Sequence, residues 1–307
     1  MIFFRRKTKL PKSVMAGWLS PVDGHQIYYH TYGNPAGIPV LCFHGGPGGS
    51  SKAKYAMRFN LKKYYVILFD QRGCGKSKYM ELLYKNTPAD AADDGMRLLE
   101  HLGVNGPVIV NGGSYGSLVA LLFAQTYPKI VSKIWVASIF LGRRHDVQDW
   151  QEHDAMRFYP DFITKLQKMA GKKSISEYFA TLLFSGKPSQ ERRALQYYGS
   201  LECIVGALKP SFSLPDEAKY ADELRSLKIA TNMSINNFFM RDNQIIKNAP
   251  KIKHIPTVIV HNRLDMCCPF EQAWQLHNAL PKSELIVVPS HGHGSDKMDE
   301  VLQNLYK

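Results

Sequence analysis

The chain has 307 residues, 45% hydrophobic and 21% charged, with 23 Gly, 17 Pro and 5 Cys. That length supports one or two domains with a sizeable core. The composition excludes a collagen, a low-complexity disordered chain and a disulfide-stapled miniprotein.

The formal net charge is +13, from 39 Lys and Arg against 26 Asp and Glu. Arg5, Arg6, Lys7, Lys9 and Lys12 lie in an acid-free opening stretch, which reads as a solvated basic arm. No zinc spacing, nucleic-acid signature or basic–aromatic interleaving accompanies it, so no nucleic-acid partner is expected. The longest apolar runs are strand-sized, so no membrane span is expected either. The cysteines (Cys42, Cys74, Cys203, Cys267 and Cys268) are odd in number and irregular in spacing, with no export signal. This predicts a reducing, cytoplasmic location.

In chain order, short β-branched runs predict strands at 26–32, 39–43, 64–70, 108–111, 133–139, 257–261 and 284–288. A helix is predicted to start after Thr87, with Pro88 at its first position and Asp90 completing a capping box. A nearly all-apolar helix is predicted at 117–127. Strand–helix alternation of this kind predicts an α/β core with a mostly parallel sheet. It breaks between 141 and 249, where helical segments such as 174–184 and 190–208 occur and no strand is predicted. The expected organisation is one catalytic core, 1–140 plus 250–307, interrupted by a helical cap at 141–249.

The strongest chemical signal is Gly112-Gly113-Ser114-Tyr115-Gly116. It matches G-x-S-x-G between a predicted strand and an apolar helix, where a nucleophilic serine sits on a strained turn. The glycine loop His44-Gly45-Gly46-Pro47-Gly48-Gly49 follows another strand. Acyl transfer develops a negative oxygen that needs preorganised donors, and the backbone N–H groups of Gly46 and Tyr115 are the predicted pair. Asp265 and the segment His291-Gly292-His293 follow the last two strands, in the order serine, acid, histidine. Spacing alone does not separate His291 from His293. The stretch Gly73-Cys74-Gly75-Lys76-Ser77 imitates the end of a phosphate-binding loop, but Asp70 occupies the position of its first glycine. Cys267-Cys268 lacks the two-to-four-residue metal spacing, so no metal site is expected there.

Together these motifs resemble the prolyl aminopeptidases (proline iminopeptidases), serine peptidases of the α/β-hydrolase fold, over nearly the whole chain. The stretch from Asp70 to Ser77 is similar to the family's second signature, which braces the oxyanion loop. The family's histidine follows a glycine, which favours His293. The resemblance implies release of N-terminal proline from peptides with a free N-terminus, by Ser114, His293 and Asp265, without metal or organic cofactor. It also implies two cap glutamates that hold the substrate amine. Glu202 matches the first, and Asn236 stands where the second is an acid. Phe140 matches the aromatic that packs on the proline ring. The departure at Asn236 leaves room for an esterase or amidase with the same triad. A basic binding protein with a vestigial site is the non-enzymatic alternative.

Overall fold

The computed structural model describes residues 10–146, 155–207 and 213–307, with only the backbone at 202, 203 and 207. Arg5, Arg6, Lys7 and Lys9 of the basic arm lie outside the described residues. Ten strands form an eight-stranded sheet and a two-stranded ribbon. They are β1 (Met15–Trp18), β2 (His25–Gln26), β3 (Tyr28–Gly33), β4 (Ile38–Phe43), β5 (Tyr64–Phe69), β6 (Lys78–Tyr79), β7 (Val108–Ser114), β8 (Val131–Ile139), β9 (Thr257–Leu264) and β10 (Ser283–His291). The main sheet runs β1-β3-β5-β4-β7-β8-β9-β10. Its last six strands are mutually parallel, and β3 and β1 close one edge antiparallel.

Parallel strands with both faces covered read as continuous apolar runs, and Tyr64–Phe69 is buried at every position. Side chains alternate between two apolar layers, as a period of two requires. Leu41, Phe43, Ile67, Phe69 and Val110 pack on one face with the helices α2 (Pro88–His101), α3 (Tyr115–Thr126) and α9 (Phe270–Ala279). Val40, Val66, Leu68, Ile109 and Trp135 pack on the other with the short α1 (Ala53–Ala56), α10 (Asp296–Leu305) and the loop carrying Phe59. There Tyr306 stacks between Phe59 and Trp135, at centroid distances of 4.6 and 4.7 Å.

The predicted strands are present; β8, β9 and β10 run beyond the predicted bounds, and two others differ more. The 26–32 run divides: His25–Gln26 pairs with Lys78–Tyr79, while Tyr28–Gly33 joins the main sheet. β7 runs past Asn111 through two glycines to Ser114, because Phe43 and Ala137 on its neighbours supply the ladder partners that glycine side chains cannot advertise. The capping box at α2 forms as predicted: Thr87 accepts from the Asp90 N–H, and the Thr87 N–H donates to Asp90 Oδ2 (2.9 Å).

Between β8 and β9 the described residues contain no strand. They hold α4 (Pro160–Ala170), α5 (Ile175–Leu183), α6 (Pro188–Ala207), α7 (Glu217–Ile235) and the short α8 (Gln244–Lys247). α4 to α7 share an apolar cluster that includes Ile163, Phe179, Leu195, Leu201 and Leu227. Ile229 and Met233, near the end of α7, join the core cluster instead, so α7 anchors this segment over the sheet. Among the described residues no helix is long and apolar enough to cross a membrane.

Trp135 is 3% exposed within the aromatic stack. Trp135→Ala is expected to destabilise the fold by about 3–5 kcal/mol, seen as a lower urea midpoint at unchanged slope.

Candidate active site

Ser114 closes β7 and immediately precedes α3, with φ 58° and ψ −133°. A non-glycine residue in this region carries about 1–3 kcal/mol of strain and persists only where its surroundings enforce it. The flanking glycines show how. A Cβ at Gly112 would lie 2.0 Å from the Gly116 carbonyl oxygen, and one at Gly116 would lie 2.2 Å from the Phe43 carbonyl oxygen. Only bare backbone lets the turn close this tightly against β4. Ser117 locks it further, its hydroxyl donating to the Ser114 carbonyl (2.7 Å) and accepting from the Phe140 N–H (3.0 Å).

The glycine loop after β4 lies against this turn, since a methyl group at Gly45 would meet Ser114 Cβ at 3.4 Å. The Gln71 N–H donates to His44 Nε2 (3.0 Å), and Gln71 Nε2 donates to the His44 carbonyl (2.9 Å). This fixes the tautomer, so His44 Nδ1–H donates to the Gly45 carbonyl (2.8 Å). Burial holds this imidazole below the usual histidine range, which keeps it neutral. Asp70 ties the end of the loop through two 2.7 Å bonds from the Ser51 N–H and hydroxyl. Its other oxygen accepts from the Lys76 N–H (2.8 Å). The stretch that imitates a phosphate loop therefore wraps the chain's own carboxylate. Next to it, buried Arg72 is neutralised by Asp94 (2.7 Å) and Asp23 (3.2 Å).

Asp265 and His293 follow the C-terminal ends of β9 and β10, the edge where open α/β sheets gather ligand sites. His293 Nδ1 lies 2.9 Å from Asp265 Oδ2. The other carboxylate oxygen, Oδ1, accepts from the N–H groups of both Cys267 and Cys268 (2.9 Å each). The backbone of His293 is held from two sides, with its N–H on the Gly206 carbonyl at the end of α6 and its carbonyl on the Ser138 hydroxyl (2.9 Å each). Fully buried His261 also approaches Asp265, at 3.7 Å. Its Nδ1 accepts from the Ile139 N–H (3.0 Å), so Nε2–H donates to the Cys268 carbonyl (2.9 Å). Burial is the largest cause holding His261 below its usual range, so it adds no competing positive charge.

Three adjoining cavities reach Ser114. One is shared with His293, Gly45 and Ser138. A second is lined by Gly46, Tyr115, Phe140, Tyr198 and Phe238. The third contains Gly49, Tyr198, Glu223 and His293. The structure thus gathers Ser114, His293, Asp265, Gly46, Tyr115 and Phe140 around one centre. Phe140 meets Phe238 edge-on at 4.8 Å. His291 is exposed at the end of β10. Asn236 is not brought to this centre: it is exposed, and its Nδ2 donates back to the Asn232 carbonyl in its own helix (2.8 Å). Glu202 lies on α6 between Leu201 and Val205, both of which line the second cavity; its side chain lies outside the described residues.

Besides Asp299, which pairs with Arg58 (2.6 Å), sequence reading missed two acids that line these cavities. Asp146 is held by Arg143, which also binds Glu271 (2.7 Å). Glu223 sits on α7. The Arg143–Asp146 spacing was the only signal for the first, and nothing local marks the second.

The model of the alpha/beta hydrolase fold family matches residues 38–295. A probable proline iminopeptidase of Leptolyngbya boryana is 38% identical over 278 residues, covering 88% of this chain and 85% of its own. A proline iminopeptidase of Arabidopsis thaliana is 33% identical over 290 residues, covering 92% and 76%. Among solved structures, an esterase from Exiguobacterium antarcticum superposes with a TM-score of 0.63 at 22% identity, covering 95% of this chain and 98% of that one.

The two N–H donors on Asp265 Oδ1 generate a sharp expectation. In Asp265→Asn the amide oxygen must face those donors, which turns its NH2 toward His293 Nδ1. The ring proton should then move from Nδ1 to Nε2, which nitrogen-15 NMR of the imidazole reads directly. A proton retained on Nδ1 would contradict this orientation.

Proposed function

Because the chain belongs to the proline iminopeptidase family of the α/β-hydrolase fold, we propose that it is a serine aminopeptidase releasing proline, and other small residues, from peptide N-termini. Ser114 attacks the carbonyl of the first residue. His293 accepts the hydroxyl proton and returns it to the leaving amine, and Asp265 holds the imidazole with Nδ1 protonated. The N–H groups of Gly46 and Tyr115 receive the developing oxyanion. Water then hydrolyses the acyl-enzyme by the same route in reverse, and no metal or organic cofactor takes part.

The observation that carries this reading is the 2.9 Å His293–Asp265 pair beside a strained serine turn, with an aromatic-walled cavity opening on the same serine. Phe140, Phe238 and Tyr198 offer apolar walls for a pyrrolidine ring. The helices between 141 and 249 serve as a cap that closes one end of the cleft, so that only a chain terminus reaches Ser114. In this reading Glu202 receives the substrate ammonium, and Asn236 has no share in it. The activity belongs in the cytoplasm, a reducing compartment in which cysteines do not form disulfides.

Proline β-naphthylamide should be hydrolysed, and Ser114→Ala should reduce kcat by about 10⁶-fold. Faster turnover of p-nitrophenyl acetate than of any free-amine substrate would instead favour an esterase. Since protonated His293 cannot accept the serine proton, kcat/KM should rise from pH 5 to pH 8; a flat profile would remove histidine as the base.

A charge-assisted hydrogen bond contributes about 1.5–3 kcal/mol. Glu202→Gln should therefore lower kcat/KM by about 10–100-fold, chiefly through KM, while Asn236→Ala stays within about twofold. The opposite pattern would return amine recognition to position 236.

A further inference from the structure

The adjacent cysteines after Asp265 carry more than their spacing suggests. Cys267 Sγ, Cys268 Sγ and a ring nitrogen of His293 all lie within 4.8 Å of one another. Two features preorganise this group. The N–H groups of both cysteines are fixed on Asp265 Oδ1, which pins the turn that bears the two thiols. The same carboxylate holds His293 Nδ1, so Nε2 is the nitrogen that would ligate. A carboxylate on the far nitrogen is the usual support of a metal-ligating histidine, orienting the ring and raising its basicity.

We propose that Cys267, Cys268 and His293 form an inhibitory site for a soft divalent cation, Zn2+ or Cd2+. Two thiolates and one imidazole are a donor set such ions favour, and a tetrahedral ion keeps its fourth position for water or another ligand. Binding releases one proton from each thiol while the neutral imidazole releases none, so two thiolate charges balance the cation. Cys267 and Ser114 line the same two cavities, so the bound ion faces the nucleophile. Sequence spacing misses the site because the third ligand arrives from the loop after the next strand. Binding stands on the side-chain cluster alone, whereas inhibition rests on the base role proposed for His293, whose Nε2 the ion would occupy. Because each thiol must lose its proton to ligate, uptake should strengthen as pH rises.

The test is a Cd2+ titration of the full chain, read by the ultraviolet cadmium–thiolate charge-transfer band and by proline β-naphthylamide turnover. The expected result is one ion per chain, with turnover falling in parallel and returning on addition of EDTA. The Cys267→Ser/Cys268→Ser pair should lose the band. It should also need at least about 10–100-fold more Cd2+ for half-inhibition relative to its own metal-free rate, since even an outer-shell change costs that much affinity. Cys267→Ser alone, at a half-buried position, should weaken binding in the same direction and serves if the double variant fails to fold. His293→Ala should weaken the band titration, a readout independent of turnover. No band, or a band undiminished in the cysteine variants, would overturn the site. A stoichiometric band in a protein without peptidase turnover would leave the site standing and count against the proposed function alone.

Discussion

The strand-to-helix turn at Ser114 is the constraint on which the site depends. Its positive φ is tolerated because Gly116 lets the helix press onto the Phe43 carbonyl, and Gly112 lets the turn fold back on Gly116. The same closure sets the distance between the serine and the glycine loop after β4. The elbow and the glycine loop are therefore one packed unit. Its bracing extends outward through Gln71 and His44 to Asp70 and the turn behind it. His44, Gln71 and Asp70 each have hydrogen-bond partners in this brace, as buried polar side chains require.

The acid side of the site follows a similar logic. Asp265 is buried at 4% exposure, a costly position for a carboxylate without compensation. Two backbone donors and His293 supply that compensation. His261 is held neutral by burial and by a tautomer fixed from the Ile139 N–H. The proton on His293 is thus directed by one carboxylate, with Oδ2 (2.9 Å) nearer than Oδ1 (3.2 Å).

Much of this was legible in the sequence because it is written in local patterns. The β-branched runs gave the central strands, Thr87-Pro88 with Asp90 marked the start of α2, and the glycine pentapeptide marked the elbow. What stayed hidden depends on pairing between distant segments. Met15–Trp18 is an exposed edge strand with no apolar run to announce it, and it exists through its ladder with Tyr28–Thr31. Asn236 matched an amine-binding position by its neighbours in sequence, yet its side chain turns back to Asn232. Asp146 reaches the cavity from a segment whose only local clue is a nearby arginine. The Cys267-Cys268 pair looked inert by spacing because the third member of its cluster, His293, lies in the loop after another strand.

The central claim is that Ser114 is the nucleophile of a peptidase that reads a free N-terminal residue. A crystal structure of the chain with a prolyl boronic acid tests this most directly. The account predicts a bond from Ser114 Oγ to boron and a boronate oxygen about 2.7–3.1 Å from the N–H groups of Gly46 and Tyr115. The pyrrolidine ring should lie against Phe140, with its ammonium toward Glu202. A boronate bound elsewhere, or bound to Ser114 with the ring outside the Phe140 cavity, would contradict it.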